Sequence, residues 1–178
     1  MNRIQDDRFH RADKPPKCSN SRIECDIYRF KASQFKLDGK VDNGDGDTIF
    51  TQILKGMKSK EPSKYMEWFR REGTDDRVFR ANFKGESSID AGGPYREVME
   101  NISQEVCSSV LPMLSPTENQ RHEHGFLREC FILNHQATSK ANLEQIMQLG
   151  LIIGFAIRSM QTWNMNLHPI VWKEIVGA

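Results

Sequence analysis

The most constraining stretch of this chain is the uncharged run from Gln145 to Ile157, which lies between Glu144 and Arg158. Leu149 to Ile157 is apolar on every helical side. A bilayer-spanning helix needs roughly 18 apolar residues, and this run is shorter. Its surroundings must therefore be protein, and it predicts a central, buried helix over about Asn142–Met160. A chain of 178 residues is long enough to build a core around such a helix without metal or disulfide staples. The mean hydropathy of −0.62 and the net charge of +1 fit a folded chain with no global pull toward nucleic acid or an anionic membrane.

Other periodicities place further elements around that helix. Ile49, Phe50, Ile53, Leu54 and Met57 share one helical face, with Asp47 or Thr48 as N-cap. A short helix is expected around Tyr65–Phe69, closed by Gly73. Val78–Phe83 alternates as a strand, with Phe79, Ala81 and Phe83 on one face. Pro94 suits the first turn of a helix that runs through Val98, Ile102 and Val106 and stops before Pro112. Ser115–Gly125 reads as a polar loop. Cys130–Leu133 is a short strand able to pair with the first, and Pro169 opens a last helix over Ile170–Val176. The expected fold is α+β, mainly helical, with one small antiparallel β pair.

Residues 1–47 differ in character. Up to Lys36 they hold nine basic and five acidic residues, and Asp38–Asp47 is an acidic Gly/Asn loop. They are expected to form a largely extended or mobile arm, with an edge strand near Ile23–Ile27 and ordered structure starting near Thr48. The N-terminus lacks the apolar core of a signal peptide, so secretion is disfavoured. The four cysteines, Cys18, Cys25, Cys107 and Cys130, have no CxxC spacing and are expected as thiols.

An EF-hand reading of the acidic loop, with Asp42 at its first position, puts Gly44 and Gly46 where oxygen ligands belong and Ile53 where the bidentate Glu belongs. A solvated loop is the better reading. His122 and His124 with Cys130 lack two further zinc ligands. Phosphate-cradling glycine motifs and the GxSxG elbow are absent. Lys58, Lys60, Lys64, Arg70 and Arg71 around Tyr65 and Trp68 could serve nucleic acid, but a solvated helix face is the simpler reading. No catalytic, cofactor-binding or metal-ligating set emerges. Gly85 to Glu97 is the most distinctive stretch. It reads as a strand exit, a tight turn and a helix start, where Glu86 or Asp90 would accept amides and Arg96 would pair with one of them.

That stretch, Phe83-Lys-Gly85-Glu86-Ser-Ser-Ile-Asp90-Ala-Gly92-Gly93-Pro94-Tyr-Arg96-Glu97, resembles the opening of the HECT domain of ubiquitin-protein ligases. In the same order, Cys130–Asn134 resembles the family's short strand ending in Asn. Leu149–Arg158, with Gly150, Gly154 and Arg158, resembles its buried helix. Leu167–Gly177, with Trp172 and Lys173, resembles the helix that closes the segment. Ala156-Ile-Arg158 and Val171-Trp-Lys173 are closest to the large HERC-type branch. The likeness covers residues 77–177 and, more weakly, 48–60. Val98-Met99 departs from it, since the family usually has an aromatic after Arg-Glu.

The resemblance implies an N-lobe-like helical subdomain over 48–178. The subdomain that docks the ubiquitin-conjugating enzyme and the C-lobe with its thioester cysteine would lie beyond Ala178. The complete family domain passes ubiquitin from the conjugating enzyme to a ligase cysteine and then to a substrate lysine. None of the four cysteines here matches that acceptor, so this chain alone is expected to be an inactive scaffold of cytoplasmic or nuclear location. Its partners would be the conjugating enzyme and ubiquitin, through the complete domain, with no nucleic acid and no membrane span. Gly150 and Gly154 are expected to form a side-chain-free notch against which another element packs. A non-catalytic interaction protein built on a HECT-like lobe is the rival reading.

Overall fold

Strand β1 (Ile23–Ile27) alternates strictly, burying Ile23, Cys25 and Ile27 and exposing Glu24 and Asp26. Strand β2 (Phe79–Phe83) has the same period and buries Phe79, Ala81 and Phe83. The two pair in parallel, Ile23 opposite Phe79 and Ile27 opposite Phe83, so their apolar side chains form one face. Parallel neighbours need a crossover connection. Helices α1 (Arg29–Leu37) and α2 (Ile49–Lys58) lie within it. The computed structural model describes residues 23–58, 77, 79–86 and 93–177, and the statements that follow concern these. The expected helix around Tyr65–Phe69 lies outside the described residues.

Helix α3 (Gly93–Val106) follows the corner and buries Tyr95, Val98, Met99, Ile102, Glu105 and Val106. Then come β3 (Leu114–Pro116), the single-turn α4 (Glu118–Arg121), β4 (Phe131–Leu133), α5 (Lys140–Arg158) and α6 (Pro169–Val176). The stretch read as polar loop thus contains a strand and a turn of helix, N-capped by Thr117. Thr48 is the N-cap of α2, its hydroxyl accepting the Thr51 amide at 3.1 Å. Ser139 caps α5 in the same way.

Three expectations need correction. First, the strands at 79–83 and 131–133 do not pair with each other. The former pairs in parallel with β1, and the latter pairs antiparallel with β3. Short alternating runs specify a face but not a partner. Second, the strand expected near Ile23–Ile27 is present as β1, but a helix, α1, follows it before Thr48, where a largely extended arm was expected. Third, α5 is not the buried keel. It buries Leu149, Ile152, Ile153, Phe155 and Ala156 but leaves Met147 69% and Ile157 68% exposed. The helix buried on most sides is α2, packed on β1 and on α3, with Ile49–Leu54 and Met57 all buried.

Close backbone approach is found at Gly56 of α2 and not at Gly150 of α5. A Cβ added at Gly56 would lie 2.8 Å from the Cys25 sulfur, so this glycine lets β1 press onto the helix. A Cβ at Gly150 would meet nothing within 4 Å, so no element packs on it. Gly154, one turn on, is half-buried. We predict opposite outcomes from the same substitution at the two sites. Gly56→Ala should destabilise by roughly 1–3 kcal/mol through overpacking. Gly150→Ala should stabilise by up to about 1 kcal/mol through helix propensity. Thermal melts of the two variants check both signs.

Candidate functional site

Of the Gly85–Glu97 stretch, the described residues are Gly85 and Glu86, which leave β2, and Gly93–Glu97, which begin α3. Gly85 has φ +85°, a left-handed turn that carries the chain out of the strand. Gly93 and Pro94 open α3, with Pro94 in the first turn where its missing N–H costs nothing. Tyr95 is fully buried, its ring 4.7 Å from that of Phe79, and burial pushes its hydroxyl pKa up. Arg96 and Glu97 both face outward. Asp90 and Gly92 lie outside the described residues.

The counter-ion of this corner is Arg29, at the start of α1. Its Nε donates to Glu86 Oε1 at 2.7 Å, and its two terminal nitrogens reach Glu86 and Glu97. The guanidinium also lies 4.3 Å from the centroid of the Phe83 ring. Arg96, expected to pair with Glu86 or Asp90, does not hold Glu86. It lines a cleft of about 550 Å³ between α3 and the Met160–Asn164 segment. Trp163 closes the base of that segment by donating to the Met99 carbonyl at 2.7 Å. No local spacing in the sequence signals the Arg29 pairs, because their partners are 57 and 68 residues away.

The acidic loop is organised from within by Asp42, which is fully buried. Its carboxylate accepts the Gly44 and Gly46 amides, each at 2.9 Å, and the Thr48 hydroxyl at 2.5 Å. Its own amide donates to the Val110 carbonyl at 2.7 Å, and Gln145 of α5 donates to its carbonyl at 3.1 Å. Both carboxylate oxygens of Asp42, the first position of a calcium reading, thus accept from protein donors. Burial alone would raise the Asp42 carboxyl, but the Thr48 hydroxyl, the Gly44 amide, Thr51 and the Gly46 amide outweigh it and hold its pKa below the usual value.

A second buried carboxylate, Glu105 of α3, accepts the Ile49 amide at 3.0 Å and the Phe50 amide at 2.8 Å. Lys36 of α1 lies 3.1 Å from one of its oxygens. Here burial dominates and pushes the pKa up, against the pull of Lys36 and the two amides.

His122 and His124 are exposed, and His122 lies 3.4 Å from Glu118. Among the described residues no group of three His, Cys, Asp or Glu side chains is placed to hold a metal. Cys25 and Cys130 are buried and Cys107 is half-buried. Burial raises the pKa of both Cys107 and Cys130. Of the basic stretch near Tyr65, only Lys58 is described, and it pairs with Glu144 at 3.4 Å. No helix among the described residues is long and apolar enough to cross a membrane. Arg158 closes α5, where a cation faces the negative end of the helix. Trp172 and Lys173 lie on the exposed side of α6. Between α5 and α6 runs an apolar groove of about 510 Å³, walled by Leu133, Ile146, Leu149, Ile153, Ile170 and Ile175, with Gly150 at its edge.

These features belong to a mainly helical α+β fold in which Arg29 holds Glu86 and Glu97 together. The chain is similar to the E3 ubiquitin-protein ligase HERC2 of Mus musculus and to that of Homo sapiens, each 29% identical over 153 residues. The match covers 85% of this chain and 3% of each relative, so the chain spans a very small part of the proteins it matches. A match of 153 residues cannot fit between Thr48 and the end of the chain, so it also takes in part of the N-terminal region. The relation to HECT-type ligases is therefore distant and partial. No family model and no solved structure matches the chain.

The two buried carboxylates predict a two-sided pH dependence. Asp42, with its pKa lowered by folding, contributes stability above the usual carboxylate range, and loses it as pH falls through the lowered value. Glu105, with its pKa raised, contributes in the opposite sense. Its protonated form is favoured by the fold, and that contribution is lost as pH rises through the raised value. Asp42→Asn should cost roughly 1–3 kcal/mol at neutral pH, because the new amide would face the Thr48 donors. It should also flatten the acid limb of the stability profile, which denaturant titrations across pH will read.

Proposed function

We propose that this chain is a scaffold portion of a HECT-type ubiquitin-protein ligase N-lobe. The observation that carries this is the 153-residue similarity to the two HERC2 ligases. The order of the family-like segments supports it: corner, Asn-ended strand, long helix and closing helix succeed one another as the resemblance requires. Residues 48–178 correspond on this reading to an incomplete N-lobe. Residues 23–47 belong with it, since β1 supplies half of the parallel sheet. Gly85, Glu86, Asp90, Gly92, Gly93, Pro94, Arg96, Glu97, Gly150, Gly154, Arg158, Trp172 and Lys173 act as lobe architecture rather than as an active centre.

In the complete ligase, ubiquitin would pass from a conjugating enzyme to a ligase cysteine and then to a substrate lysine, in the cytoplasm or nucleus. The nucleophile of that chemistry is an accessible thiolate. Burial of Cys130 and the raised thiol pKa values of Cys107 and Cys130 argue against either as the acceptor. A second reading, a non-catalytic protein that binds ubiquitin or ligase partners, is favoured by the open apolar groove between α5 and α6.

We expect no ubiquitin thioester when the chain is incubated with activating enzyme, conjugating enzymes and ubiquitin, then run on a non-reducing gel. A reductant-sensitive adduct that disappears in Cys107→Ala or Cys130→Ala would overturn the scaffold assignment. Exchanging the matching segment of HERC2 for this chain should preserve thioester formation by the hybrid. A hybrid that folds but forms none would favour the interaction-protein reading.

A further inference from the structure

The loop between α4 and β4 holds an aromatic side chain out in water. Phe126 is 91% exposed. The backbone around it is fixed in a tight form. Glu123 and Leu127 have φ of +50° and +57°, left-handed values that are costly for a residue with a Cβ, and Gly125 between them has φ +77°. The loop is also tied across itself. The Phe126 carbonyl accepts from Asn119 Nδ2 at 2.8 Å, the His124 amide donates to the Asn119 carbonyl at 3.0 Å, and the Cys130 amide donates to the Leu127 carbonyl at 3.2 Å. A lone exposed apolar residue is ordinary on a protein surface. One displayed by a pinned and strained loop is a preorganised anchor, because little ordering is left to be done on binding. Beside it, Arg128 donates to the Glu123 carbonyl at 3.3 Å, and its guanidinium has no carboxylate partner among the described residues.

The groove between α5 and α6 is the matching feature on the same molecule. Leu149, Ile153 and Val171 line it as buried residues, while Leu133, Ile170 and Ile175 stand about half exposed at its rim. At about 510 Å³ it has room for a benzyl side chain and an apolar neighbour. Glu174 is the one charged residue among its lining, and that carboxylate has no cation partner among the described residues. Knob and groove are each apolar with one uncompensated charge, and the two charges are opposite. The ties within the loop hold Phe126 in solvent and out of the groove of its own chain. We propose that the groove takes Phe126 of a second copy of this chain, with Arg128 of that copy against Glu174. The two surfaces differ, so the contact is head-to-tail and can repeat from copy to copy. The inference goes beyond the ligase reading and does not depend on it.

Sedimentation velocity of the whole chain, from about 5 µM to about 500 µM, tests this. The wild type should show a mass that rises with concentration from the 20.6 kDa of one chain to beyond that of a dimer. Phe126→Ser and Ile175→Lys, both changes at exposed positions, should each stay monomeric over the same range. Mixed in equal amounts they should form a dimer that grows no further, since the first keeps an intact groove and the second an intact knob. Arg128→Glu should weaken association by roughly threefold or more, and adding Glu174→Arg to it should restore it. Should Ile175→Lys not fold by circular dichroism, Ile175→Ser takes its place. A wild type that stays monomeric throughout would overturn the proposal. So would undiminished association of Phe126→Ser, which would mean that one groove covers another, or a mixture of the two variants that stays monomeric.

Discussion

Helix α2 starts inside the protein, and the fold depends on how its first amides are paired. A helix N-terminus leaves its leading N–H groups without intrahelical acceptors, and burying them unpaired is costly. Here each has a partner. Ile49 and Phe50 donate to Glu105, and Thr51 donates to the Thr48 hydroxyl. Thr48 is in turn held by Asp42. Two buried carboxylates, 63 residues apart in sequence, therefore fix one helix end, where negative charge is favoured by the helix dipole. Through Lys36, Val110 and Gln145 the same groups connect α1, the exit of α3 and the start of α5.

From that fixed helix the rest of the core follows. α2 presents Gly56 to β1 and its apolar faces to the sheet and to α3. The parallel pairing of β1 with β2 sets where the corner begins, and Tyr95 against Phe79 sets the direction in which α3 leaves it. The corner is closed by Arg29 from outside the stretch that resembles a family motif. The motif-like residues are thus not self-sufficient, and the segment from Ile23 onward is needed to complete them. The opposite end of the fold is more open. α6 buries only Val171, although six of its eight residues are apolar.

The distant relation to HERC2-type ligases agrees with this anatomy in one respect and adds to it in another. It covers most of the chain, including part of the region that composition alone set aside as an arm. The chain's own residues show what its buried polar groups do in the fold. Its buried polar groups cap helices and close a loop, and the pKa shifts of Asp42 and Glu105 have structural causes.

Local pattern determined most element positions. Thr48 before an apolar face, Pro94 and Pro169 at helix starts, and the strict alternation of Ile23–Ile27 and Phe79–Phe83 are signals written within a few residues, and the structure places elements there. What local pattern could not carry was partnership. The pairing of β1 with β2, the reach of Arg29 to Glu86 and Glu97, and the capping of α2 by Glu105 all join residues more than fifty positions apart. An apolar run such as Leu149–Ile157 likewise says that a helix wants cover without saying which faces receive it. Secondary structure follows from backbone and side-chain preferences among near neighbours. Which helix becomes the keel, and which cation closes the corner, is decided by the packing of distant segments, which alone satisfies buried amides and carboxylates together.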